Sequence, residues 1–546
     1  MHNQKQNITI IILVILLTGV FSFISYKLYK NQQEINRKLL AGEKLVPVLE
    51  ETVTGPENQF EEKLATIIEP WAEIRSGFKD CVVQIFCHAG EFNWLEPYKS
   101  PTQREGAGSG FFIDDKGHIV TNAHVINQAK AITLQIPALG KERLDAKIVG
   151  VCFDRDLALL EISKEDLEKI KIAVGKIPYL KLGDSDKVAG GSEIMLLGYP
   201  LAQQCLKSTK GVVSGREKQL IQIDVPSNPG NSGGPAVNVH GEVIGILVAG
   251  FTDAQNVNYI IQVNELKVVL DSLMNPPANK LVRKPFLGVF YNIGSDSLSK
   301  YLGNPQGGCY ITGVYKESLL DKIGIKSGDV IFEVNGHKVD FYGEIKLPGS
   351  EDKISLTDYI SFLPLDKEIA LSVYRDSVKK DFKFKFTQSK LPEIRLMHPD
   401  YEKIDFEVFA GLVVMQLARN HTPYLLMAAP DLIKYEEAKN QTEPVLIVTH
   451  VLADSQASRS RILAPGTIIT VINGMPVKTL QEYRKAIRKS TDSGFVTLKT
   501  SNDIFAVFDL KKVVQDEMRL PKIYRYPLSN VVEEMIKRYI EQNEKK

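Results

Sequence analysis

Between Cys81 and about Val263 the chain is a series of short apolar runs divided by Gly, Asp and Asn. They read VVQIF, SGFFI, HIVTNAHVI, AITLQI, LALLEI, EIMLLGY, LIQIDV, VIGILV and VNYIIQV. Runs this short, with turn residues between them, predict many strands closed into an all-β barrel or sandwich. The stretch NELKVVLDSLM has helical spacing and ends the block, and NPPANKLVRKP after it reads as a linker.

Two later stretches share a pattern. Residues 308–340 read GCYITGVYKESLLDKIGIKSGDVIFEVNGHKVD, and residues 444–477 read PVLIVTHVLADSQASRSRILAPGTIITVINGMPV. Each predicts a strand, a short helix, a Gly-led turn, a second strand and an Asn-Gly hairpin, at Asn335-Gly336 and Asn473-Gly474. This is a diverged internal repeat. From Ser529 to Lys546, Val532, Met535, Ile536, Tyr539 and Ile540 share a helical face. Acidic residues are mixed with the basic ones there, so the face is expected to pack or make oligomer contacts rather than bind a membrane.

At the other end, Gln6 to Tyr26 carry no charge and as a helix reach about 30 Å, the depth of a bilayer core. Phe23 and Ile24 stand where a cleaved signal peptide has small residues, so an uncleaved anchor is expected. Lys27, Lys30, Arg37 and Lys38 follow the span, and on charge alone they favour a cytoplasmic body. Residues 27–69 read as a tether.

A length of 546 residues suggests three or four domains. Lys+Arg 67 against Asp+Glu 66 removes the electrostatic basis for a whole-protein nucleic-acid binder. Five cysteines without a C-x-x-C pair exclude a disulfide-dense scaffold and zinc ribbons. Cys81 and Cys87, on one strand, would be about 20 Å apart and unable to pair. The cysteines are expected to be buried thiols.

The chemistry gathers in three places. Gly230-Asn231-Ser232-Gly233-Gly234-Pro235 puts a serine in a tight turn whose N–H groups can face inward and hold an oxyanion. Thr121-Asn122-Ala123-His124-Val125 follows an apolar strand, and Asp154-Arg155-Asp156 precedes another. A serine hydroxyl is a poor nucleophile without a base, and the base needs an acid to orient it. His, Asp and Ser within one β-rich block point to a serine hydrolase.

TNAHV, DLALL and GNSGGP together resemble the HtrA/Deg family of trypsin-like proteases, over about residues 75–515. The insert between Cys87 and Gly106 and FAGLVVMQL at 409–417 are most similar to its plant-type branch. The resemblance implies a mostly-β fold: a chymotrypsin-like double β-barrel followed by two α+β PDZ-like domains, preceded by one transmembrane helix. The implied division is an anchor over 1–26, a tether over 27–69, a protease domain over 70–275, PDZ-like domains over 284–390 and 400–515, and a tail over 516–546.

It further implies Ser232 as nucleophile, His124 as base and Asp156 as orienting acid, with Asp154 as rival, and an oxyanion hole from the N–H groups of Gly230 and Ser232. Ser227, Val248 and Ala249 would line the specificity pocket, where Pro226 and Pro229 depart from the family pattern. Phe286-Leu287-Gly288-Val289 would be a peptide-carboxylate loop, with Phe409-Ala410-Gly411-Leu412 its counterpart in the second module, where holding the oligomer together or occupying a neighbour's groove is the alternative to binding peptide. No metal or organic cofactor is required.

The expected activity is ATP-independent cleavage of unfolded or damaged proteins in quality control, since no G-x-x-x-x-G-K-[ST] stretch occurs. The alternatives are a chaperone or scaffold with a latent protease, or a dedicated regulatory protease at a membrane. Expected partners are unfolded substrates, exposed C-termini, the membrane through the anchor and further copies in trimers or multiples of trimers, with Trp71 and Phe78 as candidate contacts. No nucleic acid is expected. The expected location is the bacterial inner membrane facing the periplasm, with an organelle or cytoplasmic face as the alternative.

Overall fold

The computed structural model describes residues 71–248, 257–348 and 353–544. The expected membrane span and tether, and Ala249 of the expected specificity pocket, lie outside those residues. Among the described residues no helix is long and apolar enough to cross a membrane.

The first strands are β1 (Val82–Glu91), β2 (Thr102–Phe112), β3 (His118–Thr121), β4 (Ala129–Gln135), β5 (Arg143–Cys152) and β6 (Leu157–Ile162). They close into a barrel in the order β1-β2-β3-β6-β5-β4. The next are β7 (Glu193–Gly198), β8 (Lys207–Glu217), β9 (Leu220–Ile223), β10 (Pro235–Val237), β11 (Val243–Val248) and β12 (Asn258–Gln262). They close a second barrel in the order β10-β11-β12-β9-β8-β7. This pair of six-stranded barrels is the chymotrypsin fold.

The pairing of barrels explains why several runs are continuously apolar, while those of β4 and β9 alternate. Side chains along a strand point alternately to opposite faces. In β1, β6 and β7 both faces are largely buried. Val83, Phe112, Ala158 and Leu160 fill the first barrel, while Val82, Phe111, Leu157 and Leu159 face a layer shared with Met195, Leu197 and Ile246. Ile194 and Leu196 turn into the second barrel. A helix that the strand pattern does not announce, α1 (Lys164–Val174), caps the first barrel with Ile170. The expected closing helix, α2 (Val263–Met274), lays Leu266, Val269 and Leu273 on the shared layer. Trp71 Nε1 donates to Glu193 at 3.3 Å, and Phe78 packs on the same layer.

An α+β region follows. β13 (Val289–Asn292), β14 (Cys309–Val314), β15 (Val330–Val334), β19 (Glu368–Arg375) and β20 (Val378–Lys385) form a sheet in that order. β16 (His337–Lys338) hangs on β15, β17 (Glu344–Lys346) and β18 (Lys353–Ser355) pair separately, and α3 (Leu356–Phe362) follows them.

The next sheet runs β21 (Phe406–Phe409), β22 (Leu412–Gln416), β23 (Leu446–Val451), β24 (Ile468–Ile472), β26 (Phe495–Thr500) and β27 (Phe505–Asp509). Here β25 (Met475–Pro476) hangs on β24. Apart from β21 the two sheets have the same order. Both Asn-Gly pairs form the expected hairpins, with Asn335 at φ 51° and Asn473 at φ 48°. Each Asn side chain also accepts a backbone N–H, from Ala370 at 2.9 Å and Thr497 at 2.8 Å. The repeat read from the sequence is therefore a structural repeat.

Helices α4 (Leu480–Ile487), α5 (Leu510–Tyr524) and α6 (Asn530–Glu544) belong with the second sheet, and Val513, Val532 and Met535 lie in its core. The amphipathic face expected at 529–546 thus packs within its own chain. All five cysteines are free thiols; Cys81, Cys87, Cys152 and Cys309 are buried, whereas Cys205 is exposed.

Candidate active site

His124 begins a short turn just after β3, and Asp156 ends another between β5 and β6 with a left-handed backbone, φ 52°. Asp156 Oδ2 lies 2.7 Å from His124 Nδ1, and Asp156 Oδ1 accepts the His124 backbone N–H at 2.8 Å. Asn122 Nδ2 donates to the Asp156 carbonyl at 3.0 Å. These three bonds tie the end of β3 to the start of β6. A carboxylate on Nδ1 favours the proton there, which leaves Nε2 as the acceptor. Among the described residues Nε2 has no hydrogen-bond partner, and the imidazole is 45% exposed.

Asp154, the rival acid, faces elsewhere. Its Oδ2 accepts the Lys284 backbone N–H at 2.9 Å, and Oδ1 lies 3.5 Å from Arg283. The other residues of this turn are held from outside the barrels as well. Phe153 stacks on His398 with ring centres 4.0 Å apart. Arg155, a buried cation, pairs with Glu265 of α2 and donates to the Ser361 carbonyl on α3. Burial, with the Arg155 charge adding to it, pushes the Lys284 ammonium down to about 8. Burial pushes His398 down to about 4.

The serine lies on a turn between the barrels and is 5% exposed. Gly230 has φ +99°, and a Cβ there would stand 2.5 Å from the Tyr199 carbonyl oxygen. Only glycine fits. The backbone N–H groups of Asn231, Gly233 and Gly234 donate to Asn228, Leu247 and Asn231 at 3.1, 2.9 and 3.0 Å. Those of Gly230 and Ser232 donate to no acceptor among the described residues. The two N–H groups expected to form an oxyanion hole are therefore the two left free. The Gly233 backbone lies against Thr121 and Asn122, which brings the turn to the strand end that carries His124.

Ser227 is half-buried near this turn, and Val248 is half-buried at the end of β11. The loop Phe286–Val289 leads into β13, and Phe286 lies edge-on to Tyr315. The N–H groups of Leu287 and Gly288 donate to no acceptor among the described residues, while the Gly288 carbonyl accepts from Tyr315 N at 2.8 Å. The counterpart loop differs. Ala410 N–H donates to Glu517 Oε1 at 2.8 Å, and β21 immediately precedes the loop.

Sequence reasoning missed Ser109, Asn122, Arg155 and Glu517. Ser109 carried one weak signal, a hydroxyl between two glycines at the head of an apolar strand. Among the described residues no group of three or more His, Cys, Asp or Glu could hold a metal ion.

A profile of trypsin-like peptidase domains matches residues 108–246, and a PDZ domain profile matches 399–529. The chain is 30% identical over 405 residues to a probable periplasmic serine endoprotease, DegP-like, of Marinomonas sp. (strain MWYL1), covering 72% of this chain and 76% of that protein. It is 33% identical over 256 residues to the serine protease Do-like HtrB of Bacillus subtilis (strain 168), covering 42% of this chain and 53% of that protein. The solved HtrA-type protease AlgW with decapeptide is 22% identical, with a TM-score of 0.45 over 59% of this chain and 99% of that one. With its paired barrels and PDZ domain, the chain belongs to the HtrA/DegP-like family of trypsin-like serine endoproteases.

Proposed function

We propose that His124, Asp156 and Ser232 are the catalytic triad of an endopeptidase that cleaves unfolded or damaged proteins. Ser232 Oγ attacks the scissile carbonyl as His124 Nε2 takes its proton. Asp156 holds the imidazole through Nδ1, and the N–H groups of Gly230 and Ser232 receive the oxyanion. His124 then delivers the proton to the leaving amine, and water repeats the sequence on the acyl-enzyme.

The observation that carries this reading is the 2.7 Å contact between His124 and Asp156. The serine–histidine hydrogen bond is not made in this structure, and such bonds commonly tighten when substrate binds. Ser227, Val248 and Ala249 line the substrate pocket in this reading, which the family resemblance supports. The loop 286–289 takes a substrate's C-terminal carboxylate on its free N–H groups, with the peptide added as a strand beside β13.

The remaining assignments carry the sequence reading forward. They are the domain division at 70–275, 284–390 and 400–515, the last joined by the tail whose Val532 and Met535 lie in its core, together with trimers or their multiples, an anchor over residues 6–26, a periplasmic face and affinity to the plant-type branch. The relatives described as periplasmic support that location.

The test is incubation of the chain and its Ser232→Ala variant with a permanently unfolded protein and a tightly folded one, with products mapped by mass spectrometry. Cleavage of the unfolded protein alone is expected, falling at least about 10⁴-fold in the variant. Equal cleavage by both forms would remove Ser232 from the chemistry. Aggregation suppressed equally by both, without product peptides, would favour the scaffold reading.

A further inference from the structure

The free N–H groups of Gly230 and Ser232 are useful only if the peptide planes around them are fixed. Each plane can be followed. The Pro229–Gly230 plane is held where Leu201 N–H donates to the Pro229 carbonyl at 2.6 Å. The Gly230–Asn231 plane is held at both edges: its N–H donates to Asn228 at 3.1 Å, and its carbonyl accepts from Ser109 Oγ at 2.8 Å. The Asn231–Ser232 plane is held through its carbonyl, which accepts from Gly234 N–H at 3.0 Å. The Ser232–Gly233 plane is again held at both edges, by Leu247 on its N–H at 2.9 Å and by the Ser109 backbone N–H on its carbonyl at 2.8 Å.

Ser109 therefore holds two of the four planes, one with its hydroxyl and one with its backbone. It belongs to β2 of the first barrel, whereas the turn it grips belongs to the second. It is fully buried, and its hydroxyl also accepts the Tyr199 N–H at 3.0 Å. The backbone of Ser109 is fixed in turn, because Thr121 Oγ1 donates to its carbonyl at 2.8 Å. Thr121 ends β3, three residues before His124. The hydroxyl thus connects the histidine's strand to the serine's turn across the joint between the barrels.

We propose that Ser109 is a positioning residue for catalysis, whose hydroxyl sets the Gly230 carbonyl so that the neighbouring N–H groups point at the oxyanion. This rests on the reading of Ser232 as nucleophile. Ser109 touches no substrate in that scheme; its effect passes through Gly230. The interaction matters most in the transition state and tetrahedral intermediate, because the bound substrate carries no oxyanion.

Ser109→Ala removes the hydroxyl and leaves the backbone N–H to Ser232 intact. The expected result is a kcat lower by about tenfold or more, with KM for a peptide substrate within about twofold of the parent. Affinity for a peptide boronic acid, which forms a tetrahedral adduct, should fall by the same factor as kcat/KM. Affinity for the unreactive product peptide should not move. A residue that only supports the fold would lower the melting temperature and the titratable fraction of active sites, leaving the boronate-to-product affinity ratio unchanged; that result overturns the proposal.

If Ser109→Ala does not fold, Ser109→Cys, which keeps a weaker donor, is measured in the same way. A smaller loss with the same split supports the proposal, and parental kinetics oppose it. Ser232→Ala run beside them separates the two levels. Activity surviving in Ser232→Ala refutes the nucleophile assignment, whereas activity lost there but parental in Ser109→Ala refutes only the role of Ser109.

Discussion

The two sheet modules share strand order, hairpins and a Gly-containing loop, yet they present different edges. In the first, β13 is the edge strand, and no described strand pairs with its outer side. In the second, the equivalent strand β22 is covered: β21 pairs with it from Phe409 opposite Leu412 to Phe406 opposite Met415. The chain has added its own segment where a peptide would add a strand. The loop is taken too, since Glu517 accepts the Ala410 N–H and Tyr526 OH donates to the other carboxylate oxygen at 3.0 Å. Arg484 on α4 fixes the covering strand through Asp405, Glu407 and the Phe406 carbonyl. One fold thus serves as an open edge in one copy and as a closed structural unit in the other.

The most forceful way to break this comparison is Arg484→Met. It leaves Glu407, 2% exposed, as a buried carboxylate without its cation. Removing one partner of a buried pair costs about 3–5 kcal/mol. A lower melting temperature and faster hydrogen exchange at residues 406–409 are expected; unchanged exchange there would mean that β21 is held by something else.

Gly288→Ala should sharpen it from the other side. Gly288 has φ +78°, and a Cβ there would stand 2.3 Å from Ser318 Cβ. Isothermal titration of the Ser232→Ala chain with a C-terminal peptide should give one site per chain. Adding Gly288→Ala should weaken that site at least about tenfold, through a strain of about 1–2 kcal/mol plus the overlap. Two sites of equal affinity in the parent would end the distinction between the modules.

A third effect concerns pH. Burial pushes the Glu517 carboxyl up to about 8, against the pull of the Tyr526 hydroxyl and the Ala410 N–H. The folded state therefore holds a proton that the unfolded chain releases near the ordinary carboxyl value of about 4.3. The stability it contributes is full at low pH and is lost as pH rises toward 8. Glu517→Gln should flatten that decline in melting temperature between pH 5 and 8. A parallel decline in both proteins would exclude Glu517 as its source.

What the sequence reveals follows the range of the interactions. The apolar runs announce the barrel strands because runs such as those of β1, β6 and β7 are buried on both faces, while β4 and β9 alternate. Asn335-Gly336 and Asn473-Gly474 announce their hairpins because a two-residue turn is a local event. His124, Asp156 and Ser232 are legible because each sits in a compact turn motif. Ser109 and Glu517 are not, because their meaning lies in partners more than a hundred residues away, Gly230 and Ala410. FAGL reads in sequence only as the counterpart of the first loop, with or without a bound peptide, and nothing local shows that β21 folds back on β22. Arg155 sits inside a recognised motif, yet its burial against Glu265 and Ser361 depends on α2 and α3 arriving there.

The insert between β1 and β2 carries Phe92, Trp94 and Tyr98 away from the first barrel and onto the second sheet module. Trp94 packs on Met415, Ala418 and His421, and Tyr98 on Tyr526. On the ribosome these aromatic side chains are made long before their cover. At roughly 5–20 residues per second, Tyr98 waits roughly 20 to 90 s for Tyr526. Until then the nascent protease domain carries a greasy, unpaired tip of the kind that draws chaperones and starts aggregates. A protease of this design is thus, for the first minute of its own existence, the kind of client it is proposed to remove.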